Sequence, residues 1–335
     1  MDDSRSIVAS MSAALHPHPP APSRTVPAAT EGRVIAGDAF DLLPSLPARS
    51  IDLVLTSPPY WGHREYGLDH NWQVFNSIQG VKRDFGSGTL GYEWYRDLGG
   101  VLGLEPYPEW YIAHLVEIFS RARPALRACG SLWVNIGDTY FARWSSIREN
   151  GRQGLAEAGR QRRKTPMGGF RQEKQLLMLP ARFAIAMQEQ GWILRNDLIW
   201  YKPNATPRPE TDRLRLTHEH FFHFVQRPKE GRASYFYDLG AAEPRQHDVV
   251  AVNAAPGEEG HTATFPRTLI APRILSSSPP GGTVLDPFCG TGRALEVAVE
   301  HGRHAIGFEK QTGFAVASKA KVSGDGPTPS PRRQR

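Results

Sequence analysis

The chain has 335 residues, of which 40% are hydrophobic, and a formal net charge of +6. A chain of this length and composition can bury a core without disulfide or metal staples. Its two cysteines, Cys129 and Cys289, are too few for a disulfide framework, and neither lies in a paired zinc spacing. No apolar run approaches the roughly 20 residues of a membrane span, and the first residues lack the order of a signal peptide. The composition excludes a disulfide-rich secreted scaffold and predicts a soluble cytoplasmic protein without a membrane partner.

The predicted elements alternate between strands and helices along residues 32–322. Strands are predicted at 33–37, 51–56, 131–136, 193–201, 221–226, 283–286 and 304–308, and helices at 108–128, 175–190, 266–277, 293–302 and 312–321. This alternation predicts an α/β fold with a mostly parallel sheet that helices cover on both faces. The flanking segments 1–31 and 323–335 have little apolar periodicity and are predicted to be disordered tails.

Three stretches between these elements, 62–107, 142–173 and 203–260, are irregular, polar and rich in glycine or proline. Long loops in a compact fold are usually functional. Residues 143–174 hold nine basic and three acidic side chains, a local excess equal to the net charge of the whole chain. Its basic residues Arg160, Arg162, Arg163 and Lys164 are candidates for contact with nucleic-acid phosphates. The alternative is a solvated surface loop, which composition alone favours.

The strand predicted at 51–56 runs directly into Ser57, Pro58, Pro59 and Tyr60. Two consecutive prolines fix φ at both positions and remove two backbone donors, so this segment is stiff and presents carbonyl oxygens. Ligands of such sheets bind at the carboxyl ends of the strands. The segment therefore predicts a surface for a planar ligand with an amino group, which donates to the serine hydroxyl and the carbonyls and stacks on the ring.

A second strand end carries a glycine turn, from Asp286 to Gly292, before a predicted helix. Gly290 and Gly292 allow the backbone to approach a ligand closely and open the helix N-terminus toward it. The next predicted strand leads to Glu309, 23 residues after Asp286, near the spacing at which an acid reaches ribose hydroxyls. No Gly-Lys-Ser/Thr follows the turn, so it is not a Walker loop. Turn and acid together predict a ligand that contains an adenosine group and a carboxylate. The helix N-terminal amides are expected to bind that carboxylate.

A third strand end places Asp38 after the strand at 33–37. Its carboxylate can accept from an adenine amino group or cap the helix that follows from Ala39, and the sequence leaves both roles open. His218, His220 and His223 resemble a metal cluster by spacing alone. Strand alternation places His223 on the opposite face from the other two, so no metal site is predicted.

The two motifs together resemble those of S-adenosylmethionine-dependent DNA amino-methyltransferases. Residues 55–60, Leu-Thr-Ser-Pro-Pro-Tyr, resemble the catalytic motif of the N4-cytosine branch, whereas the N6-adenine branch more often has Asp or Asn before the prolines. Residues 286–292, Asp-Pro-Phe-Cys-Gly-Thr-Gly, resemble the cofactor motif of the same family. The catalytic motif comes first, as in the family's beta order. Further segments that resemble the family are 130–138, 191–203, 218–219 and 261–266.

The resemblance implies a seven-stranded, Rossmann-like methyltransferase sheet with S-adenosylmethionine as cofactor. It implies catalytic roles for Ser57, Pro58, Pro59 and Tyr60, and cofactor contacts for Asp38, Phe265, Asp286, Phe288, Gly290, Gly292 and Glu309. The implied substrate is double-stranded DNA at a specific site, with cytosine everted for transfer to its N4 amino group. The irregular stretches become candidate DNA-contacting inserts, with 142–173 and 203–260 both open as the target-recognition segment.

Two other functions stay open on the sequence alone. One is transfer to the N6 amino group of adenine on the same scaffold, and the other is a DNA-binding relative that has lost catalysis. The intact Ser-Pro-Pro-Tyr and the intact glycines favour an enzyme. The resemblance further implies a restriction-modification system, in which a cognate restriction endonuclease is a partner.

Overall fold

The computed structural model describes residues 31–62, 68, 70–71, 91–142, 144–146, 162–165, 167–205, 211–242, 247–255 and 265–322. The tails predicted to be disordered, 1–31 and 323–335, lie outside these residues except for Glu31. The carbonyl of Glu31 accepts a backbone hydrogen bond from Ala305 at 3.0 Å. The described fold therefore begins one residue before the predicted boundary.

All the predicted strands and helices are present, and apart from the strands at 51–56 and 283–286 their ends are shifted. The described strands are β1 (Gly32–Ala36), β2 (Ile51–Thr56), β3 (Leu126–Ile136), β4 (Trp144–Ser146), β5 (Arg162–Lys164), β6 (Trp192–Tyr201), β7 (His218–Gln226), β8 (Val249–Ala251), β9 (Thr283–Asp286) and β10 (His304–Glu309). The described helices are α1 (Ala39–Leu42), α2 (Tyr92–Asp97), α3 (Pro108–Ala122), α4 (Leu179–Glu189), α5 (Leu239–Ala242), α6 (Arg267–Ser277), α7 (Arg293–Glu300) and α8 (Thr312–Val322). None of these helices has the length and apolar character needed to cross a membrane.

Six short elements are absent from the predicted strands and helices, although the capping role open to Asp38 already implies a helix from Ala39. They are β4, β5, β8, α1, α2 and α5, each of three to six residues, too short for a hydrophobic period to show. The helix predicted at 108–128 is also too long, since α3 ends at Ala122 and β3 begins at Leu126. Pro124 lies between them, and proline interrupts a helix because it lacks the backbone donor and its ring meets the preceding turn.

Eight strands form one sheet in the order β1-β10-β9-β2-β3-β7-β6-β8, one more than the seven expected. The additional strand, β8, pairs in parallel with β6 at the edge of the sheet. Among the described strands of this sheet, only β7 runs antiparallel to its neighbours, β3 and β6. The α/β fold and the mostly parallel sheet are therefore confirmed. The carboxyl ends of β1, β2, β3, β9 and β10 lie at one edge, where β7 begins.

The sheet separates two hydrophobic cores. In β2, Val54 belongs to the core that contains Phe119 of α3, whereas its neighbours Leu53 and Leu55 belong to the core that contains Ile274 of α6. Successive side chains of a strand point to opposite faces, and all six residues of β2 are buried. Helices therefore cover both faces, as predicted, and β2 lies in the interior.

The two ends of the described domain meet. Helix α8 packs along β1. A side chain at Gly32, the first residue of β1, would collide with Val322, the last residue of α8. Glycine at position 32 is therefore what allows the first strand and the last helix to come together.

Candidate active site

The carboxyl edge of the sheet encloses a cavity of about 420 Å³, a volume typical of small-molecule sites. Ten of the eleven residues predicted to have catalytic or cofactor roles line it, namely Asp38, Ser57, Pro58, Pro59, Tyr60, Phe265, Asp286, Phe288, Gly290 and Glu309. The proline-rich strand end and the glycine turn, far apart in sequence, therefore share one cavity.

A side-chain hydrogen bond joins the two motifs. Thr56, the last residue of β2, donates from Oγ1 to Oδ1 of Asp286 at 2.6 Å across 230 positions of sequence. This bond forms because β2 and β9 are neighbours in the sheet and end side by side. The backbone N–H of Phe288 donates to the same carboxylate oxygen at 3.1 Å. Burial raises the pKa of Asp286 from 3.8 to about 7, so its carboxyl group titrates near neutral pH.

The glycine turn is tied to the end of β10 through Glu309. Gly290 has a φ of +52°, in the left-handed region that favours glycine, and its N–H donates to Glu309 Oε2 at 2.8 Å. The N–H of Gln311 donates to Oε1 of the same side chain, also at 2.8 Å. Burial raises the pKa of Glu309. The acid predicted from its spacing is thus held at the cavity wall, and lone pairs remain on its oxygens for a ligand.

Gly292 is not among the residues that line the cavity, although its neighbours Thr291 and Arg293 are, and its predicted contact with the cofactor stays a prediction. It caps α7 with a φ of +80°. A Cβ at this position would collide with the hydroxyl of Ser318 in α8. Glycine is needed at 292 for the backbone conformation and for the contact between α7 and α8.

Asp38 caps α1, which is one of the two roles that the sequence leaves open. Its Oδ1 accepts from the N–H of Phe40 at 3.0 Å. Its Oδ2 accepts from the Tyr92 hydroxyl at 3.1 Å and from Lys310 Nζ at 3.0 Å. The side chain is therefore fixed at the cavity wall by three elements, and its predicted contact with an adenine amino group stays a prediction.

Residues 57–60, which we call the ledge, are fixed from behind by a neighbouring loop. The N–H of Gly62 donates to the carbonyl of Gly103 at 2.7 Å, and Trp61 Nε1 donates to the carbonyl of Glu105 at 3.0 Å. Gly103 has a φ of +89°, and an added Cβ there would lie 3.1 Å from a carbonyl oxygen of the ledge. The proline pair is therefore stiff by itself and is also packed against a loop that leaves it little room.

The hydroxyl of Tyr60 lies at the centre of a hydrogen-bond network. Ser57 Oγ donates to it at 3.2 Å. The same hydroxyl lies 2.8 Å from both Asn135 Oδ1 and Glu219 Oε2. Glu219 in turn forms an ion pair with Lys202. These polar side chains come from the ends of β3 and β6 and from the start of β7, which meet at the same edge of the sheet.

Asn135 and Lys202 have no predicted role, and Glu219 is not among the predicted site residues. Asn135 and Lys202 lie in the segments 130–138 and 191–203 that resemble the family. The signal that could have found them is position, because each lies where a strand reaches the ligand-binding edge. This signal does not find Glu219, because β7 runs antiparallel to its neighbours and its first residues, not its last, lie at the ligand-binding edge.

Comparison with known proteins identifies the family. Residues 51–320 match the family model N6_N4_Mtase, described as DNA methylase. The chain belongs to this DNA methylase family. It is 34% identical to the Type II methyltransferase M.Cfr9I of Citrobacter freundii over 297 residues, which cover 86% of this chain and 87% of the relative. It is 33% identical to the Type II methyltransferase M.SmaI of Serratia marcescens over 300 residues, covering 87% and 90%.

Solved structures share the fold of this methylase. The cytosine-N4-specific PvuII DNA methyltransferase superposes with a TM-score of 0.61 at 18% identity, covering 89% of each chain. The DNA modification methylase TTHA0409 of Thermus thermophilus, in complex with S-adenosyl-L-methionine, superposes with a TM-score of 0.52 at 22% identity, covering 88% of this chain and 95% of the other.

Two further sequence features of the methylase are now placed. Cys289, in the glycine turn, is buried, and burial raises the pKa of its thiol, so it stays protonated and is a poor nucleophile. His220 pairs with Asp197 at 2.9 Å, while His223 stacks on Trp133 with ring centroids 4.6 Å apart. Within the described residues, no group of three or more histidine, cysteine or acidic side chains is arranged to hold a metal ion.

The predicted DNA-contacting block of the methylase is described only in part. Arg160 lies outside the described residues. Arg162, Arg163 and Lys164 form β5, which pairs with the strand Trp144–Ser146, and only their backbone is described. Their contact with DNA stays a prediction.

Proposed function

We propose that this methylase transfers a methyl group from S-adenosylmethionine to the exocyclic N4 amino group of cytosine in double-stranded DNA, at a specific site and after eversion of the base. The observation that supports this most is the shared cavity, in which the Ser-Pro-Pro-Tyr ledge faces the glycine turn. A donor held at the turn and an amino group held at the ledge lie in one cavity, so positioning supplies much of the catalysis.

The cofactor proposal is supported by the charge of the cavity wall. Asp38, Asp286 and Glu309 all line it, and burial raises the pKa of the last two. A buried carboxyl group is stabilised in its charged form by a nearby cation, and S-adenosylmethionine carries a sulfonium and an ammonium group. When bound, it supplies an electrophilic methyl group. The oxygens of Glu309 that remain free to accept suit ribose hydroxyls, and the amides at the start of α7 suit its carboxylate.

The ledge suits the amino group of an everted base. Pro58 and Pro59 offer carbonyl oxygens without competing N–H donors, and Ser57 Oγ supplies a further acceptor. The ring of Tyr60 lies against Gly137, where a Cβ would approach it to 2.9 Å, and it borders the cavity as a stacking platform. Unstacking a base costs a few kcal/mol, and stacking on an aromatic ring offsets about 1–3 kcal/mol of this.

The same acceptors explain how a weak nucleophile reacts. The lone pair of an exocyclic amine is delocalised into the ring of the base. Hydrogen bonds from that amine to Ser57 Oγ and to the Pro58 carbonyl favour a pyramidal nitrogen whose lone pair is available. Acceptors already aimed at the nitrogen also stabilise the positive charge that develops on it during transfer.

The rim of the cavity supports DNA as the partner. In the insert 203–260, Arg213 stacks on Tyr140 at 3.7 Å, Leu214 is 90% exposed, and Leu216 lines the cavity. Basic side chains beside an exposed apolar one are typical of proteins that contact phosphates and insert between bases. These residues support 203–260 as a candidate target-recognition segment. We further propose a cytoplasmic location, with association with the nucleoid through DNA binding, and a cognate restriction endonuclease as a further partner.

Cytosine rather than adenine is proposed because Ser57 stands where the N6-adenine branch more often has Asp or Asn. The test is to express the protein in a host without DNA methylation, digest the DNA to nucleosides and identify the modified base by mass. N4-methylcytosine is expected, with sequencing that maps modified bases giving the site. N6-methyladenine would overturn the choice of base, and the absence of any methylated nucleoside would favour the inactive DNA-binding relative.

A further inference from the structure

Two hydroxyl groups of the ledge connect it to the carboxylate of Glu219, which lines the same cavity. Ser57 Oγ donates to the Tyr60 hydroxyl at 3.2 Å, and this hydroxyl lies 2.8 Å from Glu219 Oε2. The three side chains therefore form a continuous chain of hydrogen bonds. The chain begins at Ser57 Oγ, which is proposed to accept a hydrogen bond from the exocyclic amine, and ends at the carboxylate of Glu219.

The protein fixes the direction of this chain. Burial and the carboxylate of Glu219 raise the pKa of Tyr60 well above its ordinary value, so its hydroxyl keeps a hydrogen to donate. Asn135 competes for that hydrogen at 2.8 Å, and its amide is oriented by donation from Nδ2 to the carbonyl of His220 at 3.1 Å. Glu219 also forms an ion pair with Lys202. A charged carboxylate is the stronger acceptor of the two.

We propose that Glu219, acting through Tyr60 and Ser57, stabilises the charge that builds on the exocyclic amine and then receives the proton that the methylated amine releases. The inference rests on the proposed methyl transfer, to cytosine or to adenine alike. Because Glu219 is proposed to act through Tyr60 and Ser57, it is a positioning residue.

The proton and the electrons balance along this chain. As the nitrogen–carbon bond forms, the sulfur–carbon bond of the donor breaks and its electron pair stays on sulfur, which becomes a neutral thioether. The nitrogen, now positive, gives a proton to Ser57 Oγ while the serine proton passes to Tyr60 and the tyrosine proton to Glu219. Glu219 ends as a neutral carboxylic acid, and solvent later removes its proton.

The alternative is that the Glu219–Lys202 pair only fastens β7 to β6, and a second ion pair between these strands provides the matched control. Asp197 of β6 pairs with His220 of β7 at 2.9 Å, and Asp197 is 42% exposed and outside the cavity lining. We expect Glu219→Gln to slow single-turnover methyl transfer by about 10- to 100-fold. The KM for DNA and the Kd for the cofactor should change less than about twofold. Asp197→Asn should transfer at the wild-type rate.

A double-mutant cycle tests whether Glu219 acts through Tyr60. Tyr60→Phe removes one oxygen and breaks the chain, so the double variant should be no slower than the slower single variant. Additive losses, or a wild-type rate in Glu219→Gln, would overturn the inference. If Glu219→Gln does not fold, as judged by its melting temperature, Tyr60→Phe carries the test, and a wild-type rate in that variant would overturn it. If the wild-type protein methylates no DNA, it is the proposed function that fails.

Discussion

The two walls of the cavity are built in different ways. At the glycine-turn wall, backbone N–H groups of Phe288, Gly290 and Gln311 donate to the carboxylates of Asp286 and Glu309, and one side chain, that of Thr56, also donates to Asp286. At the ledge wall, the hydroxyls of Ser57 and Tyr60 are held by side chains that other strands contribute. A wall fixed by backbone suits tight binding of one ligand. A wall of linked side chains can respond to the charge that develops on the substrate during transfer. We therefore expect variants of the glycine-turn wall to change cofactor affinity and variants of the ledge wall to change the rate of transfer.

The largest effect is expected at the ledge. Tyr60→Ala removes both the platform and the hydroxyl, and Ser57→Ala removes one acceptor. We expect the rate of methyl transfer to fall at least 100-fold in the first and about 10- to 100-fold in the second. The affinity for the cofactor, measured by calorimetry, should stay within about twofold. Near-normal turnover in Ser57→Ala would show that its hydroxyl is not the acceptor.

The next effect is on folding at the glycine-turn wall. Gly292→Ala introduces a Cβ that collides with Ser318 at a positive φ, and we expect a loss of about 1–3 kcal/mol of stability. Gly281→Ala is the matched control, because Gly281 has a similar φ of +72° with open space around it. Thermal unfolding of both variants separates collision from backbone strain. Equal losses would show that the contact between α7 and α8 is not the reason for glycine at 292.

A smaller effect is expected on cofactor binding. The carboxylate of Glu309 accepts hydrogen bonds from two backbone N–H groups. Glu309→Gln places an amide N–H₂ against one of these donors, which weakens the binding free energy of the cofactor by about 1–2 kcal/mol. The Kd for S-adenosylmethionine should rise about tenfold, while the rate at saturating cofactor changes little. Glu300→Gln, in an exposed glutamate of α7, should bind as the wild type does. If Glu309→Gln lowered the rate of transfer without changing the Kd for the cofactor, the assignment of cofactor binding to the glycine-turn wall would be wrong.

The last effect concerns the pH dependence of stability and Asp286. Its pKa is raised from 3.8 to about 7, so between these values the folded state holds a proton that the unfolded chain has lost. This contribution to stability is fully present below pH 3.8 and is lost as the pH rises through about 7. The melting temperature of the ligand-free protein should therefore fall more steeply from about pH 5 to about pH 8 in the wild type than in Asp286→Asn. Parallel curves would contradict the raised pKa.

The same contrast explains how far the sequence alone could reach. The glycine-turn wall and the ledge were predictable because each is a contiguous motif at the end of an apolar strand. Asn135, Lys202 and Glu219 were not, because they meet only through the order of β3, β7 and β6 in the sheet. Gly292 shows a further limit, because a glycine that a ligand approaches and a glycine that a neighbouring helix approaches look alike in sequence. The eighth strand was missed because three residues show no period.

The contact between Gly32 and Val322 has a consequence for the genetics of this fold. Since the first strand and the last helix touch, a short peptide could join them, and the gene could be opened between residues 255 and 265 instead. Such a circular permutant would encode the glycine turn before the ledge and leave every strand neighbour in place. The fold therefore does not require the two motifs to follow one another in a particular order along the chain, and genes with either order can encode the same enzyme.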